Sequence, residues 1–120
     1  MFLENDKRRA GLVTSSETLD ALIETLEQIR NILPTDKAIW DSQPVIRLAV
    51  ERVWITAGNL AEAYRIDRSI GSGVEPWSEL AGYRNLLAHA LPGDISSDRV
   101  FVDSSADIDS ILDQLRAEIR

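Results

Sequence analysis

From Pro44 to Tyr64 the apolar residues do not keep to one stripe of a helix. Ile46, Val50, Val53, Ala57, Leu60 and Tyr64 follow one side at helical spacing, while Val45, Leu48, Trp54 and Ile55 carry the apolar surface well past it. A helix of that kind has to be covered from more than one direction: by helices of its own chain, and on any remaining side by a partner. The spacing predicts a helix from about Ala38 to Tyr64, with Pro44 near its beginning either as a kink or as the true first turn. Gly58 in its middle lowers helix propensity by about 1 kcal/mol relative to alanine, which points to close packing against a neighbouring helix.

The segments around it supply covers. Thr14 and Glu17 have capping-box spacing and open a helix whose Leu19, Leu22, Ile23, Leu26, Ile29 and Leu33 form one apolar stripe before Pro34 stops it. Residues 67–76 are rich in turn formers and read as a surface loop. A third helix is expected from about Ser78 to Leu91, ended by Pro92-Gly93. Val100-Phe101-Val102 reads as a short extended piece of a connector between Asp94 and Asp103. Ser104 and Asp107 then have the spacing to cap a last helix through Ile108, Ile111, Leu112, Leu115 and Ile119. The expected fold is all-α, a four-to-five-helix up-and-down bundle. It forms a single domain over residues 1–120, with residues 1–13 a loose N-terminal arm.

Composition removes several kinds of function. The chain has no cysteine and one histidine among its 120 residues. Thiolate sites, disulfides and multi-histidine metal centres within one protomer are therefore closed to it, and neither a metal nor a cofactor is expected. No apolar run approaches a membrane span, and the N-terminus does not read as a secretory signal, so a cytoplasmic location without membrane contact is the expectation. The formal net charge is −7, from 20 acidic against 13 basic residues, so any nucleic-acid contact has to be local. Only Lys7 and Lys37 are lysines, and the arginine bias suits planar, forked contacts to carboxylate or phosphate.

Tyr83-Arg84-Asn85-Leu86-Leu87-Ala88-His89 places an arginine, an amide and the one histidine on a helix that otherwise reads as core. Asn85 and His89 are four apart and share a face, so the amide could orient the imidazole; Arg84 sits roughly 100° round from Asn85. Histidine titrates near neutrality and can take and return a proton, while a guanidinium can stabilise charge developing on a phosphate. Spacing alone favours a plainer role. A histidine close to a helix end interacts favourably with the C-terminal dipole, and Arg84 then serves as an ion-pair partner. The same plain reading applies to Arg47, Arg52, Arg65 and Arg68, which can pair with acids such as Glu51 or Glu62.

The run nevertheless resembles the arginine, polar residue, three variable residues, histidine signature of the HEPN superfamily. The likeness extends over roughly Ser16 to the C-terminus. It takes in the capped first helix, Ala57-Gly58-Asn59-Leu60-Ala61, Pro76-Trp77 ahead of the motif, Asp94 after it and the closing Leu112/Leu115 helix, and this ordered set is similar to the HepT-like branch. The resemblance implies a helical bundle that dimerises with itself and a composite, metal-independent ribonuclease site built from Arg84, Asn85 and His89 of both copies. It also implies a minimal nucleotidyltransferase as antitoxin partner, and RNA as substrate. The alternative it leaves open is a non-catalytic helical subunit that binds such a nucleotidyltransferase. Two positions depart from the pattern. Leu91 stands where many relatives carry a tyrosine that the antitoxin can modify with AMP, so that form of control is closed here: either control is by binding alone, or the toxin activity has weakened and no longer needs it. Asn59 stands where relatives often carry glutamate.

Overall fold

The computed structural model describes residues 13–91 and 93–119, and among them it contains five helices and no strand. These are α1 (Ser15–Ile32), α2 (Lys37–Ser42), α3 (Pro44–Asp67), α4 (Trp77–His89) and α5 (Ser97–Glu118). The chain is all-α, a five-helix bundle. The arm expected over residues 1–13 lies, apart from Val13, outside the described residues.

α3 is the element the others cover. α1 and α4 lie along it, α2 and α5 close the remaining angles, and α5 also packs on α1. The core runs through all five helices: Leu22, Leu26 and Ile29 of α1, Trp40 of α2, Val50, Ala57 and Ala61 of α3, Trp77 and Leu80 of α4, and Val100, Leu112 and Leu115 of α5 are buried. The wide apolar surface read from the sequence is thus mostly absorbed within the chain. Val45 and Leu48 stay exposed at the N-terminal end of α3.

Local chemistry sets the helix ends. Thr14 caps α1, its hydroxyl oxygen accepting from the Glu17 amide at 3.1 Å. The single helix expected over Ala38–Tyr64 is divided at Gln43, and the physical reason is Pro44. Proline has no N–H and disfavours the helical region for the residue before it, so Gln43 sits at φ −130°, ψ 81° and Pro44 becomes the first residue of α3.

The other correction concerns the last helix. It begins at Ser97, with Ser96 as cap accepting from the Arg99 amide at 3.1 Å, so Val100-Phe101-Val102 is helical and not an extended connector. Packing overrides the strand preference of these side chains: Val100 is fully buried and Phe101 lies against Trp40 with ring centroids 5.4 Å apart. Ser104 is consequently an interior residue and not a cap. Its hydroxyl accepts from Trp54 Nε1 at 2.9 Å, and two turns earlier Ser97 accepts from Trp40 Nε1 at 2.8 Å. Small hydroxyl residues at these positions of α5 therefore seat the indoles of α2 and α3, giving each buried N–H the partner it needs.

Surface ion pairs join the same elements. Arg30 with Asp109 and Arg116 with Glu27 bridge α1 and α5, and Lys37 Nζ reaches Asp98 at 2.8 Å from α2. All are solvent-exposed pairs of the kind worth up to about 1 kcal/mol each, so the bundle rests on its core and its indole bonds.

Ser104→Ala is expected to cost about 1–3 kcal/mol in chemical unfolding, because it strands the Trp54 N–H in the core. Ser104→Asp, which a helix cap would tolerate, is expected to cost more. Equal stability of Ser104→Asp and wild type would contradict the placement of this residue.

Candidate functional site

Gly58 explains how the motif arginine is held. A Cβ built at Gly58 would lie 2.2 Å from Arg84 Cβ, 2.7 Å from its Cγ and 3.0 Å from the Leu80 carbonyl oxygen. α3 and α4 can meet this closely only because residue 58 has no side chain, and what fills the space is the stem of Arg84. The close packing expected from a glycine in mid-helix is present, and its neighbour is the candidate site.

The guanidinium is then fixed from both helices. Arg84 Nε donates to Asn59 Oδ1 of α3 at 2.8 Å, and Nη1 donates to Asn85 Oδ1 of α4 at 2.7 Å. Arginine offers only donors, so both amides turn their oxygens towards it. The Nη2 edge makes no hydrogen bond to a described residue and is the part of the fork left to meet a ligand. Around it Gly58, Asn59, Glu62, Ala63, Ala81, Arg84 and Asn85 line a groove of about 370 Å³.

The structure brings Arg84 and Asn85 together but does not bring His89 to them within one chain. His89 is the last residue of α4; it is exposed, does not line the groove, and makes no side-chain hydrogen bond to a described residue. The amide oxygen of Asn85 serves Arg84 and not the imidazole. Helical spacing put Asn85 and His89 on one face, but the length of the arginine side chain lets it reach its immediate neighbour first. Beyond His89 the chain leaves the helix, the Leu91 amide donates to Asp94 Oδ2 at 2.7 Å, and the Leu91 side chain is 70% exposed.

Two site residues were not read as such from sequence. Asn59 stood out only as a departure from a family pattern, and Glu62 only as an ion-pair partner. Asn59 directly follows Gly58 and Glu62 lies three residues further, one turn of α3 on from the glycine, and that spacing was the available signal.

Glu62 also sets the electrostatics. Arg65 donates to it from Nη2 at 2.5 Å and from Nε at 3.1 Å, and this hydrogen bonding holds the Glu62 carboxyl below the usual carboxylate range, against the opposing effect of burial; the charges of Arg65 and Arg84 act in the same direction as the hydrogen bond. Arg47 is likewise taken up, by Glu51 at 2.5 Å and by the Ile95 carbonyl at 2.8 Å. Arg52 and Arg68 are exposed and form no ion pair with a described residue. No three His, Asp or Glu side chains gather as a metal-holding group among the described residues, and no helix there is long and apolar enough to cross a membrane.

Comparison with family models, with curated proteins and with solved structures found no match for this chain. The reading of the site therefore rests on its residues.

Two outcomes check this geometry. Gly58→Ala is expected to destabilise the fold by about 1–3 kcal/mol through overpacking on Arg84, despite a helix-propensity gain of about 1 kcal/mol, and urea unfolding reads the net sign. A carboxyl whose pKa is lowered on folding lends stability that is present above the unfolded value of about 4.3 and lost as the pH falls through the folded one. Glu62→Gln is therefore expected to reduce the loss of stability on acidification, and an unchanged pH profile would contradict the Arg65 pairing.

Proposed function

We propose that this chain is a HepT-like HEPN protein acting as a metal-independent endoribonuclease toxin, dimerising with itself and controlled by a minimal nucleotidyltransferase antitoxin. The observation that carries the reading is the seat of Arg84: a glycine cleared for its stem, two amide oxygens holding its fork, and one guanidinium edge without a partner among the described residues on an open groove. An arginine that served only as a surface ion pair would need none of this. The all-helical bundle is also the architecture that the motif's resemblance implies.

The chemistry follows from the groups present. The ribose 2′-oxygen attacks the adjacent phosphorus, the bond from phosphorus to the 5′-oxygen breaks, and the products are a cyclic phosphate and a 5′-hydroxyl. An imidazole takes the proton of the 2′-hydroxyl, and an imidazolium supplies one to the departing oxygen. Arg84 donates to the non-bridging oxygens as charge builds there, already oriented by Asn59 and Asn85 and so needing little reorganisation. His89 belongs to this reaction through a second copy. Within one chain it does not line the Arg84 groove, while the exposed Leu91 two residues on offers an apolar side chain that a second copy can cover. With Leu91 in place of a modifiable tyrosine, antitoxin control is by binding.

The same separation of His89 from Arg84, together with the Glu62 carboxylate in the groove, favours a second reading: a non-catalytic subunit that uses Arg84 to hold a phosphate-bearing partner or the nucleotidyltransferase itself.

Cleavage of end-labelled RNA in EDTA separates the two. Under the enzyme reading, wild type cleaves and His89→Ala loses about 10²–10⁴-fold in rate at the same dimer content. A folded dimer of wild type that leaves RNA intact supports the binding subunit, and equal cleavage by both proteins removes His89 from the chemistry.

A further inference from the structure

A second concavity, with no residue in common with the Arg84 groove, lies between α4 and α5. Both helices are anchored to the core, yet their backbones do not approach one another closely, and the gap is a cleft of about 470 Å³. That volume is in the range of small-molecule sites, about 300–1,000 Å³. Its floor is apolar, formed by Trp54, Leu80, Leu86 and Ile111. The Trp54 indole is held by its bond to Ser104 and stands edge-on to the Tyr83 ring, centroids 5.2 Å apart and planes at 89°, so this wall is rigid.

The rim has the opposite character. Glu79 of α4 lines the cleft opposite Asp103 and Asp107 of α5, and Arg99 is the one cation among the described residues that line it; its Nε reaches Asp103 Oδ2 at 3.4 Å. Among these residues three carboxylates stand against one guanidinium. Glu79 registers the crowding: burial first, then the charges of Asp107 and Glu75, hold its carboxyl above the usual range. The Tyr83 hydroxyl, on the same wall, is buried beside Asp103, and burial first, then the charge and hydrogen bonding of Asp103, push its ionisation up. An apolar floor and an acidic rim define the complement they lack.

We propose that the cleft between α4 and α5 binds a small organic cation, an apolar body carrying one primary ammonium group. The body lies on Trp54, Leu86 and Ile111, and the ammonium sits between Glu79 and Asp107, whose carboxylates act on one another, while Asp103 stays paired with Arg99. This site does not depend on the ribonuclease reading, because it uses none of Arg84, Asn85 or His89.

Phenethylamine and hydrocinnamate, similar in size and opposite in charge, are the probes, and two-dimensional NMR of the isotopically labelled full chain is the readout. Phenethylamine is expected to shift the Trp54 indole N–H and the Leu86 amide saturably while the Trp40 and Trp77 indoles stay in place, and to bind at least about tenfold more tightly than hydrocinnamate. Asp107→Asn is expected to weaken phenethylamine several-fold. Gly82→Leu is expected to abolish binding, since Gly82 lines the cleft and a Cβ there meets nothing within 4 Å, so the side chain enters the cleft without displacing the fold. Equal binding of the two probes, shifts that never saturate, or unchanged phenethylamine affinity in either folded variant would overturn the proposal.

Discussion

The close meeting of α3 and α4 at Gly58 is the constraint on which most of the arrangement depends. α4 approaches no described helix but α3, so the position of everything it carries is set there. The Arg84 stem fills the space that any side chain at residue 58 would occupy, and Trp77 stacks on Tyr64 with centroids 4.8 Å apart at the other end of the contact. A packing requirement and a functional one therefore share the same atoms. α3 needs a cover on that side because it is apolar there, and the cover delivers an arginine to a groove.

Fixing α4 to α3 alone has two consequences. On one side it brings α4 side chains against Asn59 and Glu62, which hold and temper the guanidinium. On the other it leaves α4 standing off from α5, so that the bundle is open along the Glu79, Tyr83 and Leu86 side. The arginine is preorganised by two amides, whereas the histidine at the free end of the helix makes no side-chain hydrogen bond to a described residue. In the proposed reaction that contrast calls for a second copy, since Arg84 is held within the protomer and His89 projects from it.

The fold was legible wherever periodic apolar residues coincided with a terminal signal. Thr14 with Glu17 and the stripe from Leu19 to Leu33 located α1, and the proline at position 44 marked a boundary whose nature, kink or first turn, only backbone geometry could decide. Reading failed at Val100-Phe101-Val102, because branched and aromatic side chains favour strands locally and the burial that overrides the preference is tertiary. That single error hid more than a helix end. With α5 taken to start at Ser104, the spacing of Arg99, Asp103 and Asp107 along one helix face could not be seen, nor could the partnership of Trp54 with Ser104. At the Arg84 groove the motif residues were visible in sequence, but their division was not. Whether Asn85 serves the arginine or the imidazole depends on side-chain reach, which spacing on a helix does not report.

The central claim is that Arg84 of one copy works with His89 of another, and mixed dimers test it most directly. Arg84→Ala and His89→Ala protomers, each inactive alone, are combined under conditions where exchange into heterodimers is demonstrated, and cleavage of RNA is measured in EDTA. The account predicts that activity returns, because one site of the heterodimer regains an intact Arg84 and an intact His89 from different chains. Heterodimers that form but stay inactive would contradict it, placing both residues in the service of one chain or outside catalysis.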